Sequence, residues 1–256
     1  MILKLAELPS VEKVFGIPKV LWCYWAGGPM TEGRKKSFQY LIDHVGLPVI
    51  LVEPGCLRSL ILKEHPLHPC FPYLSAVHQS DYIRTYIWHH YGGAWHDVKA
   101  TKTDISPVWK EFADPKTYFV GKPEHPNGTA KVHDDEGRWM PDYWKELVSV
   151  IAWVGRPYTA FSGAMYMAMH SYLDNYLDAL KTNPGKHPRE KSIMKGNLLL
   201  YGFKKLSYYF SGRDTRYPLP WTLFGNLFHP LNYKYREHIK RTLPTDLIKN
   251  AGIYHR

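Results

Sequence analysis

Two apolar runs near the amino end restrict the fold more than any other feature of the chain. "IPKVLWCYWAGG" (Ile17 to Gly28) follows a proline and ends in a glycine pair, so it reads as a buried first strand and the loop leaving it. "LPVILVEPG" (Leu47 to Gly55) is a second apolar run, closed by Pro-Gly. Between them Thr31 is placed to cap a helix running to about His44. Two strands separated by a helix need a crossover rather than a hairpin, and a crossover makes them parallel neighbours. The opening is therefore that of an α/β domain with a parallel sheet.

The rest of the chain extends this pattern. From Ser75 to Tyr91 the spacing predicts a helix, with Ala76, Ser80, Ile83, Ile87 and His90 on one stripe. Asp81, Arg84 and Trp88 fall on a second stripe. Gly92 and Gly93 stop the helix, and "AWHDV" supplies a short strand whose period of two puts Trp95, Asp97 and Lys99 on one side. "TYFVGKP" (Thr117 to Pro123) and "SGAMYMAM" (Ser162 to Met169) read as further strands, with a polar loop, Glu124 to Trp139, between them. A helix is expected over Ser171 to Gly185, with Leu173, Tyr176, Leu177 and Leu180 as its apolar face. The expected organisation is one domain over 1–256, with a core over 1–185 and an extension over 186–256 wrapped on the sheet.

The 256 residues suffice for one sizeable core. Lys and Arg number 33 against 23 Asp and Glu, a formal charge of +10, so the surface attracts phosphate-bearing partners: nucleotides, nucleic acids or anionic membranes. No nucleic-acid motif accompanies the charge, and no nucleic acid is expected as partner. "KGNLLLYGFKKLSYYF" (Lys195 to Phe210) and "YKYREHIKR" (Tyr233 to Arg241) mix basic and aromatic residues, as solvated faces or as contacts for an acceptor or a membrane surface. Cys23, Cys56 and Cys70 have neither an even count nor metal-ligand spacing, which argues against disulfides and zinc and favours a reducing compartment. "MILKLAELPS" is too short an apolar stretch for a secretory signal, and no run reaches transmembrane length. A cytoplasmic protein, soluble or peripherally attached to a membrane, is expected. Asn127-Gly128-Thr129 matches a glycosylation acceptor but reads as a turn.

Asp81 and Arg84 stand one helical turn apart, a spacing that by itself describes a surface ion pair. Their company adds meaning: the helix delivers the chain at Gly92-Gly93 into a strand that ends at Asp97. Ligands of open α/β sheets bind beyond the carboxyl ends of the strands, so acids gathered there point to a site.

"SDYIRTYIWHHYGGAWHD" resembles the SD-x-x-R…GG-x-[YW]-x-D signature of sugar transferases with the DXD motif: glycosyltransferase family 32, the capsular polysaccharide synthesis proteins and the glucosylating clostridial toxins. "IPKVLWCYWAGGPM" is similar to their first strand, and the likeness runs from about Ile17 to Thr103. It implies a GT-A (Rossmann-like) fold: a mixed, mostly parallel sheet flanked by helices, with a C-terminal extension. It implies transfer of a hexose, with retention, from a nucleotide-sugar donor (a UDP- or GDP-sugar) to a glycan or glycoconjugate acceptor. By the same resemblance Trp25 stacks on the nucleobase, Asp81 and Arg84 hold the sugar hydroxyls and ribose, and Asp97 is the first acid of the DXD. The implied cofactor is a divalent cation, Mn2+ or Mg2+, ligated by Asp97 and offsetting the charge of the diphosphate leaving group.

Here the DXD reads Asp97-Val98-Lys99, and a protonated lysine has no lone pair for a metal. Three arrangements stay open. Asp97 holds the cation with the diphosphate and a later ligand; Lys99 contacts the diphosphate and replaces the metal's charge; or the enzyme is weakened or inactive. Ser162 and Gly163 are expected to border the donor sugar. Trp221 in "PLPWTLFGN" resembles a loop tryptophan that closes over the diphosphate, with core packing as the alternative. Asp134, Asp135 and Glu136 form an acidic loop, His96 is expected to pack away from Asp97, and His229 is a late metal-ligand candidate by position alone.

Overall fold

The computed structural model describes residues 1–26, 28–126, 132–134, 136–187 and 216–244, together with 199, 202, 203, 206 and 210. The predicted opening is present with one division. Ile17–Pro18 (β2) pairs with Lys13–Val14 (β1) in a small antiparallel ribbon, and only Leu21–Tyr24 (β3) enters the main sheet. The helix Glu32–His44 (α1) follows, with the Thr31 side chain accepting from the Arg34 amide at 3.3 Å as its cap. Val49–Val52 (β4) returns parallel to β3, as a helical crossover requires. After the short helix Leu57–Leu60 (α2) come the long helix Ala76–His90 (α3) and Gly93–His96 (β5), which lies parallel to β3 on its other side.

Phe119–Pro123 (β6), Val148–Gly155 (β7) and Ile239–Lys240 (β8) complete a six-stranded sheet in the order β4-β3-β5-β7-β6-β8. Only β7 is antiparallel to its neighbours, so five of the six strands point their carboxyl ends to one edge. α1 and the turn-rich segment Ser106–Ala113 cover one face. The other carries α3, Ala160–Asp174 (α4) and Leu223–Lys234 (α6), with Leu177–Thr182 (α5) beyond. With both faces covered, β3 and β5 are buried at every position, which is why their sequences do not alternate.

The run Ser162 to Met169, expected as a strand, is helical and lies within α4. Thr159 caps it: the Thr159 hydroxyl accepts from the Ser162 amide at 3.1 Å, and the Thr159 amide donates to the Ser162 hydroxyl at 3.0 Å. Phe161, Met165, Met169 and Leu173 then recur every four residues as its buried face. A short apolar run has no period of its own, and the cap decides between the two readings. The helix expected over Ser171 to Gly185 is the last turn of α4 followed by α5. The segment after Gly185, expected as an extension wrapped on the sheet, contributes α6 to the core and β8 to the sheet edge.

The glycine pair fixes how α3 meets the sheet. Gly92 (φ 68°) and Gly93 (φ 100°) both adopt left-handed backbone, and a Cβ on Gly92 would stand 2.5 Å from Pro157 Cδ. The Gly92 amide closes the helix on the Ile87 carbonyl at 3.0 Å, while its carbonyl accepts from Trp22 Nε1 at 2.9 Å. Below this turn Trp88 packs against Phe119, Trp153 and Phe161 at centroid separations of 4.8, 5.6 and 4.6 Å. This ring cluster holds α3 at a fixed height over β5 and β7. The amino-terminal half of α3 is thereby held over the carboxyl edge of the sheet.

Candidate functional site

At that edge, side chains from five elements converge. Asp81 and Arg84, on the sheet-facing side of α3, form an ion pair through Asp81 Oδ1 and Arg84 Nη2, only 2% and 8% exposed. Arg84 also donates from Nη1 to the Val150 carbonyl of β7 at 3.0 Å, and Phe224 of α6 lies 3.8 Å below its guanidinium carbon. The pair is not the solvated surface pair that its spacing alone describes: α6 and β7 close over it.

Asp97 follows directly on β5, its amide held by the Ile151 carbonyl at 3.0 Å. Its Oδ2 receives Lys99 Nζ at 3.0 Å, and Trp95 Nε1 approaches Oδ1 at 3.4 Å. The two side chains are 30% and 24% exposed, so this second pair faces outward where the first is enclosed. Burial pushes the Asp97 carboxyl up, but the neighbouring charges of Lys99 and Arg84 outweigh it and hold the group below the usual carboxylate range. Asp97 is thus an anion flanked by two cations.

Trp25 leaves β3 beside it. The register that sets Trp22 opposite Trp95 carries both chains out at the same edge, and Cys23 Sγ reaches the His96 carbonyl at 3.2 Å. Arg34, in the first turn of α1, joins the two: its Nη1 donates to the Val98 carbonyl at 2.5 Å and its guanidinium carbon lies 5.1 Å from the Trp25 ring centre. Tyr24 donates to Gln79 Oε1 at 3.1 Å, tying β3 to α3. The sequence does not mark out Arg34, because its role depends on a carbonyl more than sixty residues away.

The segment before α6 closes the amino-terminal half of α3. His78, one turn before Asp81, is fully buried, and its Nε2 lies 2.9 Å from the Pro220 carbonyl. A carbonyl only accepts, so the proton sits on Nε2, and Nδ1 accepts from the Tyr217 hydroxyl at 2.8 Å. Burial lowers the His78 pKa, with the Asp81 charge and the Pro220 carbonyl opposing and Arg84 reinforcing, so the ring is neutral. Trp221 follows Pro220 and is 40% exposed, at the rim of the segment that carries Phe224 to Arg84.

Other candidates lie elsewhere. Ser162 and Gly163 stand at the first turn of α4, where Ser162 meets His89 Nδ1 at 3.1 Å. His89 is two turns beyond Asp81 on α3, about 12 Å along the axis, so the structure does not bring these residues to Asp97. His229 Nε2 lies 3.2 Å from Glu124 Oε2 in a buried pair near the end of β6, and its ring is committed there rather than to the Asp97 cluster. Burial raises the Glu124 carboxyl, but the nearby His229 ring and the hydrogen bond from the His125 amide bring it below the usual range. His96 is wholly buried, with Nδ1 donating to the Asp97 carbonyl at 2.5 Å, as expected of a packing residue. Asp134 and Glu136 both pair with Arg138, at 2.7 and 2.8 Å; Asp135 and Asn127-Gly128-Thr129 lie outside the described residues, as does most of Lys195 to Phe210. The three cysteines are unpaired.

A divalent cation clamped by carboxylates does not fit what is present. The position of the second acid holds Lys99, whose ammonium already sits on Asp97, and among the described residues no three His, Cys, Asp or Glu side chains are grouped to hold a metal ion. Among the described residues no helix is long and apolar enough to cross a membrane.

The chain is similar to inositol phosphoceramide mannosyltransferase 2 of Schizosaccharomyces pombe, with 26% identity over 168 residues that cover 60% of this chain and 48% of that protein. It thus spans about half the length of the curated relative it matches. That relative is by name a sugar transferase, the class of enzyme the two sequence motifs resemble; glycosyltransferase family 32 is not singled out. Among solved structures, the PaToxG glycosyltransferase aligns over 91% of this chain and 89% of its own, with 12% identity and a TM-score of 0.37, a likeness too loose to bear on fold or activity. No protein-family model matches the chain.

Proposed function

We propose that the protein is a glycosyltransferase of the GT-A type, moving a hexose from a UDP- or GDP-sugar to a glycan or glycoconjugate acceptor. The observation that carries this reading is the convergence of Trp25, Asp81, Arg84, Asp97 and Lys99 at the carboxyl edge of one sheet, although they come from three separate elements. The likeness to a mannosyltransferase agrees with it. Trp25 offers a ring for a nucleobase, and the half-buried Asp97–Lys99 pair offers an acceptor and a donor to the diphosphate sugar. The enclosed Asp81–Arg84 pair holds the floor of the site, with the carboxylate aimed by its guanidinium.

In the transfer, the bond between the anomeric carbon and the diphosphate oxygen breaks with its electron pair kept by the diphosphate. The acceptor oxygen bonds to the same carbon, and its proton passes to a diphosphate oxygen. This front-side course gives retention and asks for no protein nucleophile. The extension is the natural place for the acceptor or a lipid surface: Leu199, Phe203, Leu206 and Phe210 are exposed at three- and four-residue spacings, with Lys204 and Lys205 between them in sequence.

Incubation with a panel of UDP- and GDP-hexoses and glycan acceptors, with release of the nucleoside diphosphate as readout, tests the reading. Release that depends on Asp97 supports it, and absence of both binding and release across the panel refutes it. The Asp97–Lys99 pairing favours one second reading, a nucleotide-sugar-binding protein without transfer, for which binding without release is the signature.

A further inference from the structure

We infer that Lys99, with Arg34 and Arg84 around it, supplies the positive charge for the donor's diphosphate that a divalent cation would otherwise bring. The inference rests on the transferase reading above and concerns the same site. Its basis is a charge balance that the fold has assembled from separate elements. Arg84 from α3 pairs with Asp81, Lys99 after β5 pairs with Asp97, and Arg34 from α1 binds the Val98 carbonyl between those two residues, so three cations and two anions share this edge.

With an acid at position 99 the same site would hold two cations and three anions. The exchange of an acid for a lysine moves the local charge by two, the same amount that a bound divalent ion contributes. A nucleoside diphosphate brings at least two negative charges, so one version of the site is complementary to it as built and the other requires a metal.

The geometry agrees with the balance. Lys99 Nζ lies 3.0 Å from Asp97 Oδ2, at a place only part covered, so the ammonium is oriented by the carboxylate at the mouth of the site. An ammonium group has three donors and can bridge a carboxylate oxygen and a phosphate oxygen at once. A metal at Asp97 would have to displace that ammonium and would then lie beside a repelling charge. Arg34 reinforces the arrangement, since it spans from the Val98 carbonyl to the Trp25 ring and so stands between the expected places of base and diphosphate.

Calorimetric titration with UDP and GDP, each in EDTA and in excess manganese, tests this on the full chain. The expected result is that one of the nucleotides binds the unaltered protein equally in both buffers. Lys99→Ala should weaken that binding about ten-fold or more in both, as loss of a charge-assisted contact does, while Lys99→Arg keeps most of it. Lys99→Asp should abolish binding in EDTA and regain it with manganese.

Binding by the unaltered protein that requires manganese overturns the inference and leaves the nucleotide site standing, and so does Lys99→Ala that binds as tightly as the parent. Failure of both nucleotides in both buffers overturns the transferase reading along with it. The comparison of buffers on the unaltered protein decides the matter even where a variant fails to fold.

Discussion

Asp81→Ala should destabilise the protein severely, through the charge it leaves behind. Asp81 and Arg84 are 2% and 8% exposed, so removing the carboxylate strands a guanidinium between β7 and α6. Breaking a buried pair from one side costs about 3–5 kcal/mol. Arg84 keeps the Val150 carbonyl at 3.0 Å and the face of Phe224 at 3.8 Å, which places the expected loss near the lower end, ~3 kcal/mol. In a chain of this length that corresponds to a fall in Tm of roughly 6–12 °C. Removing both charges with Asp81→Leu and Arg84→Met should recover most of the loss, because the stranded ion is gone. Urea unfolding of the parent, the single and the double variant measures this. A single variant within 1 kcal/mol of the parent, or a double variant no more stable than the single, would refute the account of the pair as buried and mutually compensating. The double variant also separates stability from function, since it should fold yet bind neither UDP nor GDP if the pair serves the donor.

Acid should weaken the fold already between pH 7 and pH 5. Burial, with the nearby charges of other histidines, lowers His90 from the ordinary 6.5 to about 4, so between those values the unfolded chain binds a proton that the folded chain refuses. The stability is fully present above pH 6.5 and falls as the pH drops; from pH 7 to pH 5 His90 alone should account for about 2 kcal/mol in urea unfolding, and a slope unchanged in His90→Phe would contradict this. Trp25→Ala should weaken nucleotide binding about ten-fold, in the range measured for base stacking, with little change in Tm; equal affinity by calorimetry would remove Trp25 from the site. Gly92→Ala should cost about 2 kcal/mol or more from left-handed backbone and the clash with Pro157, seen as a lower urea midpoint. Phe203→Ser with Phe210→Ser should reduce sedimentation with anionic liposomes, and unchanged sedimentation would exclude the exposed apolar residues as a lipid contact.

The strand–helix–strand opening, the helix at Asp81 and its stop at Gly92-Gly93 are legible in the sequence, because apolar period, capping and glycine punctuation are local properties. The sequence also placed Asp97 at a strand end and put a lysine where a second acid was expected. It could not decide Ser162 to Met169, where a strand and a buried helix share one composition and the Thr159 cap with a four-residue repeat settles the matter. Nor could it see that β8 closes the sheet edge or that α6 buries the Asp81–Arg84 pair, since both depend on contacts between distant segments. Arg34 shows the limit most plainly. In the sequence it is one basic residue among three in a helix's first turns, and only the approach of the Val98 carbonyl and the Trp25 ring gives it a place at the site. Local chemistry wrote the elements and their candidate residues; the register of parallel strands, a nonlocal quantity, brought those residues to one edge.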